Sequence, residues 1–109
     1  RELIFVDDIA DACIFFMNKK VKHSLINVGS EEENSIKNFA KLIAKKIKSK
    51  IKIKFDKNSS MNGTPRKILD CSRARSYGWK KKVSFDKALE ITISDFIKSK
   101  KYKKIKSFN

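Results

Sequence analysis

Residues 1–17 read Arg1-Glu2-Leu3-Ile4-Phe5-Val6-Asp7-Asp8-Ile9-Ala10-Asp11-Ala12-Cys13-Ile14-Phe15-Phe16-Met17, and the fold turns on how that run divides. Leu3-Ile4-Phe5-Val6 is continuously apolar and rich in β-favouring side chains, which predicts a short strand buried on both faces. Asp7 and Asp8 follow where a helix N-terminus gains from a side-chain oxygen and a negative charge. The helix so begun reaches about Met17 and turns Ile9, Cys13, Phe16 and Met17 toward a core at helical spacing. A strand passing directly into a helix points to the α/β class.

Working outward, Leu25-Ile26-Asn27-Val28 reads as a second strand, ended by Gly29. Ser35 stands as an N-cap before Ile36, Phe39, Ala40, Ile43, Ala44 and Ile47, the clearest amphipathic helix in the chain. Ile51, Ile53 and Phe55 alternate with Lys52 and Lys54, the pattern of a strand with one wet face. A polar loop over 56–63 closes on Thr64-Pro65, and Lys67-Ile68-Leu69 predicts a brief strand. Asp70 caps a short helix that Gly78 ends in a left-handed turn before Trp79. Ser84 caps a last helix burying Phe85, Ala88, Leu89, Thr92, Phe96 and Ile97. The expected architecture is a small α/β region over 1–97, about three helices with a few short strands, followed by a basic tail over 98–109. With no initiator Met and an apolar strand at its opening, the chain is expected to be the C-terminal piece of a larger protein.

At 109 residues the chain supports one hydrophobic core, and 40% hydrophobic content is enough to form it. No apolar run reaches the roughly 18–20 residues of a membrane-spanning helix, so no membrane partner is expected. Cys13 and Cys71 lie far apart and read as free thiols, which suits a reducing, cytoplasmic compartment. His23 is the only histidine, and no second ligand stands at metal-binding spacing, so no metal is expected. Charge is the most unusual feature, with 27 Lys+Arg against 12 Asp+Glu and a formal net charge of +15. The lysine blocks at 45–54 and 98–106 would attract phosphate backbones. Only four of the basic residues are arginine, however, the side chain that bidentate recognition of bases and phosphates prefers. A solvated, lysine-biased surface is therefore the expectation, and a basic nucleic-acid-binding module is the alternative.

Catalytic constellations are sparse. Gly29, Gly63 and Gly78 are the only glycines and lie too far apart for a phosphate-cradling loop. The paired acids Asp7-Asp8 and the run Glu31-Glu32-Glu33 read as caps and loop charges. Tyr77 and Lys81, like Tyr102 and Lys106, match the Y-x-x-x-K spacing, but Gly78-Trp79 breaks the first and the second lies in the tail. Neither pair is expected to be catalytic. What remains is a set of cations at element ends. Arg1 precedes the first strand, and Arg66 and Lys67 follow Pro65. Brought together, they would suit a diphosphate, which takes several charge-assisted donors at once.

These residues also fall into familiar motifs. Residues 1–12 resemble the R-E-F-x-x-V-D-D-x-A-x-A segment of the extended short-chain dehydrogenases, the NAD-dependent epimerase/dehydratase family. Ile26-Asn27-Val28-Gly29 and Ser35-Ile36-Lys37 resemble the I-N-V-G and S-I-K stretches of the same proteins. Gly63-Thr64-Pro65-Arg66-Lys67-Ile68-Leu69-Asp70 is close to the G-T-P-R-K-L-L-D block of the GDP-L-fucose synthase branch, with Gly78-Trp79 and the Ser84 helix following in order. The resemblance covers about residues 1 to 97 and is to the C-terminal third of those enzymes. It implies the substrate-binding part of an NADP-dependent GDP-4-keto-6-deoxy-D-mannose 3,5-epimerase/4-reductase, with another nucleotide-sugar epimerase or dehydratase as the alternative. By the same resemblance Arg1 contacts the substrate's nucleotide diphosphate, Lys67 contacts the substrate, Lys52 stands near the GDP moiety, and Arg66 adjoins Lys67. The partner implied is a GDP-sugar, in an intact enzyme that is a homodimer. NADP(H) and the Ser, Tyr and Lys catalytic residues would belong to an N-terminal Rossmann domain, leaving this region inactive alone. Two departures stand out: Met61-Asn62-Gly63 replaces the usual P-D-G, and Ala74 stands where a larger apolar residue is common.

Overall fold

A computed structural model describes residues 1–48, 50, 52–55 and 63–99. Four helices occupy them in chain order: α1 (Val6–Met17), α2 (Ile36–Lys46), α3 (Ser72–Ser76) and α4 (Phe85–Lys98). Among the described residues no segment forms a strand ladder, so of the expected α/β region the structure shows a small helical piece with extended connections, and the expected strands are not seen there. Phe5 is extended (φ −70°, ψ 139°), but helix begins at Val6, and Leu3 and Val6 are 49% and 69% exposed rather than buried. Leu25 is likewise exposed, and residues 25–28, 52–55 and 67–69 carry no ladder. An apolar, β-branched run favours an extended backbone, but a strand also needs a neighbouring edge to receive its hydrogen bonds. Ile51, residues 56–62 of the expected loop, and the tail beyond Ser99 lie outside the described residues.

The helix ends follow the capping logic closely. The Ser35 side chain accepts from the Asn38 N–H at 3.1 Å and that of Ser84 from the Lys87 N–H at 3.4 Å. Asp70 accepts from the Ser72 N–H at 2.8 Å at the start of α3. At its end, Gly78 adopts φ +94°, its N–H donates to Arg75 O (2.8 Å), and the Trp79 N–H donates to Ala74 O (3.0 Å). That pair of bonds is a Schellman closure, which requires a residue tolerant of positive φ at position 78.

At α1 the capping expectation is corrected. Phe5 occupies the N-cap without a side-chain bond, and Asp7 is exposed in the first turn. Asp8 instead turns inward, 2% exposed, and accepts from the Lys82 N–H at 2.9 Å and the Val83 N–H at 3.2 Å. A buried carboxylate would be costly unpaired, and here two backbone donors compensate it. The bond fixes the approach to α4.

Ala12, Cys71, Ala74 and Trp79 form the buried cluster, with Ile4, Phe15, Phe16, Ile26 and Val28 packed around it. The buried stripe of α1 thus runs through Asp8 and Ala12, while Cys13 and Met17, expected inside, are exposed. Asp11 accepts the Trp79 indole N–H at 3.1 Å, satisfying the polar end of the largest core side chain. A second packing centre joins α2 to α4. The Phe39 and Phe85 rings lie 5.0 Å apart, and the Lys46 ammonium meets Asp86 at 2.7 Å. On α4 only Ala88 is buried; Phe96 and Ile97, predicted inside, are 40% and 56% exposed. Cys13 and Cys71 are both free thiols. No helix of the described residues is long and apolar enough to cross a membrane.

Candidate functional site

The chain's extended opening and the segment after Pro65 form the two walls of an open cleft of about 660 Å³, lined by Arg1, Glu2, Arg66, Lys67, Ile68 and Leu69. Three of the four cations singled out in the sequence therefore meet. Lys52, the fourth, is exposed and does not line this cleft. Gly63 also comes near, since a Cβ placed there would lie 3.8 Å from an Arg1 guanidinium nitrogen.

Backbone pairing holds the first wall in place. The Arg1 nitrogen donates to Asn34 O and the Asn34 N–H to Arg1 O, each at 2.8 Å, the reciprocal exchange of an antiparallel pair. The Glu2 carboxylate holds the second. Its Oε1 accepts from the Leu69 N–H at 2.8 Å, while Oε2 accepts from the Glu31 N–H at 2.8 Å and the Ser30 hydroxyl at 3.4 Å. Gly29 makes room for this carboxylate: a Cβ there would stand 2.9 Å from both Glu2 oxygens, closer than real Cβ atoms come. Gly29, read from the sequence as the end of a strand, is a point of close approach instead.

The three cations differ in availability. Arg66 is held by Glu33 in a two-pronged pair, Nε to Oε1 at 2.9 Å and Nη2 to Oε2 at 2.8 Å. That pair lowers the Glu33 pKa and raises that of Arg66. Among the described residues nothing pairs with the Arg1 guanidinium or the Lys67 ammonium, and both residues line the cleft. Two unpaired cations on opposite walls, beside a third held by a carboxylate, can take one compact dianion through charge-assisted bonds.

The acidic run Glu31-Glu32-Glu33 is more than loop charge. Each member ties a different later segment: Glu31 pairs with Arg75, Glu32 with Lys81, and Glu33 with Arg66. Glu31 also accepts from the Cys71 N–H at 3.2 Å, and it adopts a left-handed φ of +56°. Arg75 first, with help from the Cys71 N–H, lowers the Glu31 carboxyl below its ordinary value, and in turn Glu31 raises the Arg75 pKa. Burial, then the nearby Glu31 charge, pushes the Cys71 thiol up, which disfavours the thiolate form. Sequence reading missed Glu2, Gly29 and Glu31, since their roles lie in bonds between residues distant in sequence. The one available signal was the position of Glu2 and Gly29 inside the quoted motifs, and Glu31 lies outside them.

The remaining sequence candidates separate. Tyr77 O accepts from the Lys22 N–H at 2.8 Å and meets His23 Nδ1 at 2.8 Å, while Lys81 pairs with Glu32. Tyr77 and Lys81 thus serve different parts of the fold, and Tyr102 and Lys106 lie outside the described residues. Among the described residues no three His, Cys, Asp or Glu side chains group to hold a metal. Nor do the residues fit a dinucleotide. Phe5, Ser35 and Ser84 precede the three longer helices, and none of these starts is a glycine-rich turn through which backbone could approach a pyrophosphate.

Comparison with known proteins places this geometry beside a consistent set of relatives. The chain is 38% identical over 104 residues to the putative GDP-L-fucose synthase 2 of Arabidopsis thaliana, covering 95% of this chain and 31% of that protein. It is 35% identical over 108 residues to the GDP-L-fucose synthase of Escherichia coli, covering 91% of this chain and 33% of the relative. It is 30% identical over 101 residues to the GDP-L-colitose synthase of Yersinia pseudotuberculosis, covering 92% and 32%. No family model matches the chain. The chain spans about a third of the length of the curated relatives it matches. Over more than nine-tenths of its own length it is homologous to proteins named GDP-L-fucose synthase, and the likeness seen in the motifs is thereby shown.

Proposed function

We propose that this chain is the C-terminal, substrate-side part of an NADP-dependent enzyme that converts a GDP-4-keto-6-deoxy sugar by epimerisation and reduction, and that its cleft holds the substrate's diphosphate. One observation carries the reading: Arg1 and Lys67, 66 positions apart, line one open cleft with no side-chain partner among the described residues, in a chain similar to GDP-L-fucose synthases. In this reading the two cations take the α- and β-phosphates. Arg66 shapes the rim through Glu33, and Lys52 would meet the nucleotide only from beyond the wall. Hydride chemistry and the cofactor belong to the rest of the enzyme. No step is assigned to this chain, which is inactive alone, and the intact protein is a cytoplasmic homodimer.

A second reading stays within nucleotide sugars. The likeness to a GDP-L-colitose synthase supports GDP as the nucleotide but leaves the sugar open. The nucleic-acid alternative is less supported, because three of the four arginines are engaged within the fold: Arg66 on Glu33, Arg75 on Glu31, and Arg73 on Leu25 O at 2.9 Å. The test is a titration of the chain with GDP, UDP and duplex DNA across a salt series, followed by NMR. Saturable GDP binding, stronger than UDP and shifting the Arg1 and Lys67 signals, is expected. DNA binding with a steep salt slope and no diphosphate binding would reverse the assignment.

A further inference from the structure

The cleft contains one group that an anion site would not be expected to hold. Glu2 lines it between Arg1 and Leu69, a carboxylate set beside the place proposed for a diphosphate. Left free, its charge would repel the ligand and neutralise a neighbouring cation. It is not free: both oxygens are occupied by the scaffold. Oε1 takes the Leu69 N–H at 2.8 Å and Oε2 takes the Glu31 N–H at 2.8 Å. These are charge-assisted bonds, among the stronger ties available to a small fold. Their geometry matters because of what adjoins each end. Arg1 immediately precedes Glu2, and Lys67 stands two residues before Leu69. One carboxylate thus sets the separation of the two unpaired cations, with Glu31 and Ser30 bracing it from behind.

We propose that Glu2 is the positioning residue of the diphosphate cleft, fixing Arg1 and Lys67 in register across it, and that Gly29 is the space it requires. The proposal rests on the diphosphate reading above and adds the residue that sets its geometry. It makes an unusual forecast. Removing a negative charge from an anion site ordinarily strengthens binding, whereas here it weakens binding, because the two cations lose their common anchor.

The experiment uses the 109-residue chain, its Glu2→Gln variant and its Gly29→Ala variant, with two NMR readouts. Amide exchange at Leu69 and Glu31 reports the tie itself, and titration with GDP and with inorganic pyrophosphate reports the site. In Glu2→Gln both amides should exchange faster, and affinity for both ligands should fall by about fivefold, in line with the loss of one hydrogen bond's net contribution. Gly29→Ala keeps every charge, crowds the carboxylate and should weaken binding likewise; it carries the comparison if Glu2→Gln does not fold. Unchanged or tighter binding in the folded variants overturns the proposal, since Glu2 would then be a bystander charge. Unaltered exchange at Leu69 and Glu31 overturns it too, by removing the tie. If the unsubstituted chain binds neither ligand at millimolar concentration, the diphosphate reading itself falls and this proposal with it, an outcome separate from the other two.

Discussion

Ala74 has no exposed surface and lies among Cys71, Ala12 and Trp79. The small side chain is matched by its surroundings: Trp79 belongs to the same buried cluster, and its indole is anchored to Asp11. Enlarging it therefore forces either Trp79 or α3 to move. Ala74→Leu should destabilise the chain by about 1–3 kcal/mol, the usual cost of overpacking, read as a lower urea midpoint at unchanged slope. A gain in stability would mean that the cluster holds an unfilled void instead. The same scale explains why the site was only half legible. Arg1 and Lys67 were singled out as cations at element ends and by the resembling motifs, and both line one cleft. Glu2 and Glu31 were not, because a carboxylate's role as a tie depends on which distant N–H reaches it, and no spacing encodes that.

Among the elements, α2 and α4 were the easiest to foresee, since a serine cap and a regular apolar period specify a helix locally. α3 spans only five residues and has almost no propensity of its own. Its two ends hold it, through the Asp70 bond to the Ser72 N–H and the Gly78 closure, both expected from the sequence. Gly78 has nothing within 4 Å of where a Cβ would stand, so its substitution tests backbone conformation alone. Gly78→Ala should cost about 1–2 kcal/mol, the left-handed penalty of an L-residue, visible as a lower thermal midpoint. Loss within experimental error would show that α3 closes without the left-handed turn. The expected strands are not seen among the described residues, for a different reason. Leu3-Ile4-Phe5 and Leu25-Ile26 have the composition of strands, but pairing is a property of two segments. Among the described residues only Arg1 and Asn34 exchange both backbone bonds.

Across the whole molecule, acidic residues do the joining. Asp8 and Asp11 hold the approach to α4 and Trp79, and Glu31, Glu32 and Glu33 each tie down a later cation. These acids hold together a chain of 27 basic residues, and that dependence makes stability sensitive to acid. The pKa values of Glu31, Glu33, Asp11 and Asp70 are all lowered in the folded chain. The leading causes are the bonds from Arg75, Arg66, Lys82 and the Ser72 N–H, respectively. A lowered folded value means that the unfolded chain binds protons first as the pH drops, so these groups stabilise fully above their ordinary carboxylate values and progressively less below them. Protonation also leaves the 27 basic residues uncompensated, adding self-repulsion in the same direction. The thermal midpoint should therefore be flat from neutrality down to about pH 5 and fall steeply below about pH 4, near the ordinary range of Asp and Glu. Glu31→Gln should lower the neutral plateau and flatten the acid limb, because the group with two ties, to Arg75 and to the Cys71 N–H, no longer titrates. A midpoint that stayed level to pH 3 would show that these ion pairs are surface ornament, and that the small apolar cluster holds the chain together without them.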